Sequence, residues 1–162
     1  MRRCRRRAGG LVLAAVCVLI LPACARGKPV GRLVVTPKQS VVAAGACAPL
    51  RFDWLPAAPL DRVHGKPVVF VHLLAPPGNP DGNLDHPLPR PWTPGEAQSY
   101  EIQVCPSASE PPLRPGTYRL TAGLYDVSWG YRWPLEAGGG PEVDRREYVV
   151  GSVVVSAKET KP

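Results

Sequence analysis

The chain has 162 residues, 44% of them hydrophobic, with 21 prolines, 16 glycines and a formal net charge of +7. That length holds one domain with a packed core, and proline this dense argues against long helices and for short strands joined by turns. Five of the positive charges are arginines within the first seven residues, and no acid precedes residue 24, so residues 24–162 carry only +2. The basic balance belongs to the leader and gives no reason to expect nucleic acid as a partner.

Arg2, Arg3, Arg5, Arg6 and Arg7 form a basic stretch, followed by the apolar run Leu11–Leu21. That run fits the roughly 7–15 residues of a signal peptide and falls short of the roughly 20 that span a bilayer. Pro22 and the small residues after it speak against an uncleaved anchor helix. Leu21-Pro22-Ala23-Cys24 resembles the lipobox of bacterial lipoproteins, with Pro22 a departure at the second place. The resemblance implies that residues 1–23 are a signal peptide and that Cys24 becomes the N-terminus. It also implies a diacylglyceryl thioether on Cys24, often with a further acyl chain such as palmitate on its amine. Two or more chains give stable anchoring where one does not. Ala23-Cys24-Ala25 also fits the A-x-A pattern of ordinary secretory cleavage, which would discard Cys24; lipidation is the favoured reading. By the same resemblance the protein sits in the bacterial cell envelope. Ala25 in place of Asp implies the periplasmic face of the outer membrane where there are two membranes.

Residues 24–31 then form a tether, and from there the period is two. Arg32–Thr36 reads as a strand ending at Pro37, and Ser40–Ala44 as a short edge segment. Leu50, Phe52 and Trp54 alternate with Arg51 and Asp53, a half-buried strand. Pro67–Leu74 is almost wholly apolar and reads as a central strand buried on both faces. Ala75–Glu96 is a long irregular stretch with seven prolines, and a loop of that length is usually functional or mobile. Tyr100, Ile102 and Val104 give another strand. Arg114-Pro115-Gly116-Thr117 carries the residues of a type II turn and launches Tyr118–Tyr125, with Tyr118, Leu120, Ala122 and Leu124 on one face. Asp126–Gly130 turns the chain so that Tyr131–Trp133 pairs back, Gly138–Pro141 is a loop, and Glu147–Ser156 is the last strand with a bulge at Gly151. The tail 157–162 is expected to be disordered. The sum, over residues 32–156, is an all-β, antiparallel, immunoglobulin-like sandwich of seven or eight strands.

Cys4 and Cys17 leave with the leader and Cys24 is the lipid site, so Cys47 and Cys105 remain as an even pair. In an exported domain a disulfide between them is the default; two buried thiols are the alternative. Trp54 is expected in the core beside that bridge. Tyr118, after Pro-Gly at a strand start, is expected to act as a tyrosine corner.

Val69-Phe70-Val71-His72-Leu73-Leu74, Asp85-His86-Pro87, Trp92-Thr93-Pro94-Gly95-Glu96 and Leu113–Leu120 running into Gly123-Leu124-Tyr125-Asp126 carry a second resemblance. They are similar to the β-sandwich domain that follows the membrane part of some bacterial mannosyltransferase-like glycosyltransferases, over residues 31–156. The catalytic membrane part of those enzymes has no counterpart among these motifs. The resemblance therefore implies at most a non-catalytic role near envelope glycans or lipid-linked sugars.

Candidate sites are weighed against plainer readings. His64, His72 and His86 with Asp61, Asp81 and Asp85 fit no compact zinc motif, and His72 inside an apolar strand reads as a hydrogen-bonded core residue. Asp81-Gly82-Asn83-Leu84-Asp85 begins like a calcium loop but has His86 at the glycine place and Trp92 at the glutamate place, so a turn explains it better. Trp92, Tyr125, Trp129, Tyr131 and Trp133 are candidate contacts for a ligand or partner, since loop aromatics offer a flat apolar face with a polar edge. Alternatively Trp92 and Trp133 cap the ends of the core. No G-x-S-x-G and no paired carboxylates stand out, so no catalytic residue, metal or cofactor is assigned.

The leading expectation is a membrane-anchored, non-catalytic envelope module that binds a glycan or protein through residues 75–96 and 125–133. Two alternatives remain. One is an assembly subunit recognised by strand addition; the other is a protease-inhibitor-like sandwich using the proline-rich loop.

Overall fold

The protein is described here by a computed structural model covering residues 27–61, 63–79, 81–109, 111–137 and 142–157. The leader, Cys24, the loop 138–141 and the tail from 158 lie outside the described residues. Twelve strands follow in chain order: β1 Gly31–Pro37, β2 Val41–Ala43, β3 Ala48–Pro56, β4 Pro67–Leu74, β5 Gly82–Asn83, β6 His86–Pro87, β7 Gln98–Val104, β8 Gly116–Asp126, β9 Tyr131–Trp133, β10 Glu136–Ala137, β11 Glu142–Asp144 and β12 Glu147–Ser156. Six of them have seven or more residues and build the body. The others are edge pieces too short to show a period.

The strands form two sheets, one in the order β10-β1-β3-β7 and a larger one along β11-β12-β8-β4-β5, with β2 on β12, β6 on β4 and β9 on β8. This is the all-β sandwich expected from the alternation. Leu33, Val35, Leu50, Phe52, Trp54 and Val104 of the smaller sheet face Val69, Val71, Leu73, Tyr118, Leu120, Ala122, Leu124, Val153 and Val155 of the larger, and all are buried in one core. Period-two patterning does this because successive side chains on a strand point to opposite faces. β4 and β12 begin and end at the residues read from sequence. Gly151 sits at a register shift between β12 and β8, the expected bulge. The Tyr118 hydroxyl donates to the Arg114 carbonyl at 2.9 Å and accepts from the Arg114 N–H at 3.1 Å, the expected corner.

Three expectations need correction. The sandwich is not wholly antiparallel: β2 runs parallel to β12 and β10 parallel to β1. Both are two- or three-residue segments reached after the chain has crossed to the other sheet, so a hairpin return was not available. β4 is not a full interior strand, because β8 flanks it on one side and only β5 and β6 on the other. Trp54 is buried, but it lies seven residues along β3 from Cys47, roughly 23 Å in an extended strand, and packs against Trp92 at a ring separation of 5.6 Å. The Cys47–Cys105 disulfide does form. It ties β3 to its neighbour β7, just beyond the pair Ala48 and Val104, and so staples one end of one sheet.

Candidate functional site

The strand registers give the sandwich two unlike ends. Gly31 pairs with Pro56, Pro67 with Asp126 and Asp126 with Tyr131. The segment entering β1, the loop 57–66 and the turn 127–130 therefore share one end, called here the tether end. The β11–β12 turn at Arg145-Arg146 joins them, since the Arg146 guanidinium donates to the Arg132 carbonyl and lies next to Gly27. The disulfide, residues 75–81 and the segment 105–115 occupy the distal end. The stretch 75–96, read as one loop, is split: β5 and β6 carry it along β4, and 88–96 comes back to the tether end, where Gly95 N–H donates to the Pro56 carbonyl.

The tether end is organised by Asp126, which is buried. Its carboxylate accepts from the N–H of His64 at 2.7 Å, Gly65 at 2.9 Å and Ser128 at 2.8 Å. Burial alone would raise this carboxyl, but the backbone donors of His64, Gly65, Ser128 and Trp129 outweigh it and hold it below its ordinary value. One ionised side chain thus fixes two loops against each other. On that base Trp129 stands 71% exposed, its ring 4.7 Å from that of His64, with Val63 and Val127 exposed beside it.

The other predicted aromatics divide. Trp133 is fully buried and its Nε1 donates to the Asp61 carbonyl at 2.8 Å, the core-capping role. Trp92 is half-buried, donates to the Ala58 carbonyl at 2.9 Å and covers Gly31 so closely that a Cβ there would stand 2.8 Å from its ring. Tyr131 packs edge-on to Trp133, and Tyr125 packs edge-on to Phe70. Trp129 alone of the five is exposed.

Beside that turn is a cavity of about 530 Å³ bordered by Gly130, Tyr131, Arg132, Glu142, Arg145 and Arg146. Gly130, Tyr131 and Arg132 fall in the segment 125–133 offered by the sequence; Glu142, Arg145 and Arg146 were not singled out. Glu142 accepts from the Arg146 N–H at 2.6 Å, and the Arg146 guanidinium lies over the Tyr131 ring at 5.1 Å. Arg145 and Arg146 have φ values of 30° and 67°, positions where glycine or asparagine is favoured. The only sequence sign was the adjacent pair Arg145-Arg146 next to the start of a strand.

Arg132, which borders the cavity, also belongs to a polar cluster on the outer face of the larger sheet. Glu147 accepts from Thr121 Oγ1 at 2.5 Å, contacts His72 Nδ1 at 3.1 Å and accepts from Arg132 at 3.4 Å. Burial would raise the Glu147 carboxyl, but the Thr121 and His72 hydrogen bonds and the charges of His72 and Arg132 hold it low. Arg132 also lies 4.4 Å over the Phe70 ring, which rests on Gly123 so tightly that any Cβ would collide with it. His72 is therefore hydrogen-bonded as expected, but on the outer face rather than in the core. Thr121 is fully buried, so this Thr-Glu-His set presents no nucleophile to a substrate. Asp126 and Glu147 are both ionised near neutrality, and their contribution to stability is lost as the pH falls through their depressed values.

The calcium-like stretch is not the expected turn: Gly82–Asn83 is strand β5, paired with β4, and its acids serve neighbouring backbone. Asp81 accepts from the Ala75 N–H, Asn83 from Asp85 and Asp85 from Val71, so each side chain is used on backbone. Among the described residues no three His, Cys, Asp or Glu side chains are placed to hold a metal. His86 is half-buried, its ring edge-on to Phe52 and Tyr100 of the smaller sheet, and burial lowers its pKa. Its Nδ1 meets the Leu84 carbonyl at 2.9 Å and its Nε2 the Tyr100 hydroxyl at 2.8 Å, which suits a neutral ring protonated at Nδ1. At the distal end, Gly78, Asn79 and the run Pro111–Pro115 border a cleft of about 670 Å³.

No family model matches the chain, and no curated protein matches it. Among solved structures it is similar to a CARDB domain of a Pyrococcus furiosus protein determined in complex with di-metal ions, at 14% identity and a TM-score of 0.45, over 81% of this chain and 96% of that one.

Proposed function

We propose that this protein is an exported envelope lipoprotein, acylated at Cys24, whose sandwich is a non-catalytic binding module for a glycan or protein partner. The observation that carries the reading is the polarity of the domain. The chain enters β1 at one end, seven residues after the lipobox-like cysteine in sequence, and a cleft of prolines opens at the other. A disulfide in an all-β domain behind a basic and apolar leader supports an oxidising compartment outside the cytoplasm. The resemblance to a domain of membrane glycosyltransferases supports a place beside envelope sugars. With the tether end turned to the lipid, the distal cleft faces outward. Its walls are rigid because proline fixes φ and because the disulfide and the Tyr118 corner pin its flanks, so little ordering entropy remains to be lost on binding.

Arg114 tests this directly. Its backbone serves the Tyr118 hydroxyl while its side chain is exposed in the cleft, so Arg114→Ala leaves the corner intact. On an array of envelope glycans, and in pull-downs from envelope extracts, the variant is expected to lose at least about tenfold in binding, as for a well-placed arginine contact. Trp129→Ala is expected to bind normally. Unchanged binding in Arg114→Ala with loss in Trp129→Ala would place the partner at the opposite end.

The second reading, an assembly subunit joined by strand addition, has one observation in its favour: β7 ends the smaller sheet with a neighbour on one side only. A crosslinker on Glu101, mid-strand and exposed, would then capture one protein whatever sugars are present.

A further inference from the structure

We propose that the tether end is a docking surface for anionic phospholipid, in which the cavity of Arg132, Arg145 and Arg146 takes the headgroup phosphate and Trp129 enters the interface beside it. The inference rests on the anchored reading above and names what the anchored end touches. Reach is the first argument. Gly27 lies beside Pro134 and the Arg146 guanidinium, within contact of any Cβ it might carry, and the three residues from Cys24 to Gly27 extend at most about 11 Å. A lipidated Cys24 therefore holds this cavity within roughly one Debye length of the headgroups.

Charge is the second argument. Three guanidinium groups meet two carboxylates, those of Glu142 and Glu147, and both carboxylates are engaged: Glu142 on the Arg146 N–H, Glu147 on Thr121, His72 and Arg132. Lys28 and Lys66 are exposed at the same end together with the acids Asp61 and Glu96, so the positive excess belongs to the cavity and not to the whole end. The turn itself is the third argument. A hairpin with two residues at positive φ folds at least cost with Asn-Gly, yet this one carries two arginines. Strain kept in a sparsely populated backbone region points to a use for the side chains there. The fourth is the neighbouring tip. Trp129 and Val127 are the two most exposed large apolar side chains described, and tryptophan is favoured at headgroup depth. A soluble anion would account for the arginines but not for this apolar tip next to the tether.

The test uses the mature chain with Cys24→Ser, which carries no acyl chain, mixed with vesicles of phosphatidylcholine alone or of equal parts phosphatidylcholine and phosphatidylglycerol. It is expected to sediment with the anionic vesicles only, and less so as salt rises. Each arginine near the surface is worth about fivefold in binding, so Arg145→Asn with Arg146→Gly is expected to cost roughly thirtyfold. Its thermal midpoint should hold or rise, because Asn-Gly relieves the turn. Trp129→Ala is expected to weaken vesicle binding without lowering the midpoint. Equal binding to both vesicle types, or full binding by the Asn-Gly variant, overturns the proposal. So does displacement by inorganic phosphate together with indifference to Trp129→Ala, which would make a soluble anion the ligand. Native protein that is acylated while the Cys24→Ser chain ignores phosphatidylglycerol would sink the docking surface and leave the anchor standing. A phosphatidylglycerol preference with native protein that is not acylated would do the reverse.

Discussion

Trp133→Ala is expected to lower the free energy of unfolding by about 3–5 kcal/mol in urea denaturation. Trp129→Ala, four residues earlier on the same hairpin, is expected to change it by less than about 0.5 kcal/mol. Both residues were candidate contacts in the sequence; the structure separates them by burial. Trp133 is fully enclosed in the core, pairs with Leu124 across β8 and β9, and donates to the Asp61 carbonyl. Alanine removes one of the two largest buried side chains of the core and leaves a cavity. It also strips the Asp61 carbonyl of its indole donor. Trp133→Phe should recover most of the volume but not the bond, and so fall between wild type and alanine. Equal stability of the two alanine variants would mean that the tether end is loosely packed. The Asp126-based organisation of the loops would then be wrong.

The second large effect concerns the disulfide. Cys47→Ser with Cys105→Ser is expected to cost about 2–4 kcal/mol, the usual range for a native bridge. Cys47 and Cys105 are 58 residues apart in sequence, and closing a loop of that size in the unfolded chain is worth up to about 4 kcal/mol in the chain-entropy model. The bridge joins strands that already pair along seven positions from Ala48 to Trp54, so the folded sheet itself should survive reduction. The expected signature is therefore a lower denaturation midpoint with an unchanged far-ultraviolet circular dichroism spectrum below it. Loss of the β spectrum under native conditions would instead mean that the smaller sheet depends on its staple.

Much of the fold was legible because strong local signals agreed with the tertiary ones. β4 is flanked by Pro67 and the proline-rich stretch from Ala75, and its apolar run leaves no other use for it. In β8, Tyr118, Leu120, Ala122 and Leu124 alternate cleanly and all enter the core. Gly151 and Tyr118 each have one good structural explanation, and each takes it. What was not legible depends on partners far away in sequence. β5, β6 and β10 are two residues long, so no period can announce them. The β11–β12 turn has neither Asn nor Gly, and its two arginines hid it. His72 looked like a core residue because its neighbours Val71 and Leu73 are, yet one step along a strand changes the face. Phe70 is buried on the outer face only because Gly123 opposite has no Cβ and Arg132 folds over the ring. Of the proposed surfaces, the sequence offered the segment 125–133 with Trp129 and Arg132 but not Arg145 and Arg146, since their convergence on it requires β9 and the β11–β12 turn to be laid side by side.

The proposed function and the proposed docking surface both depend on acylation at Cys24. The intact mass of native protein extracted from cell membranes measures this most directly. A chain beginning at Cys24 and heavier than its sequence by two or three acyl chains is the predicted result. An unmodified chain beginning at Arg26, recovered without detergent, would contradict it.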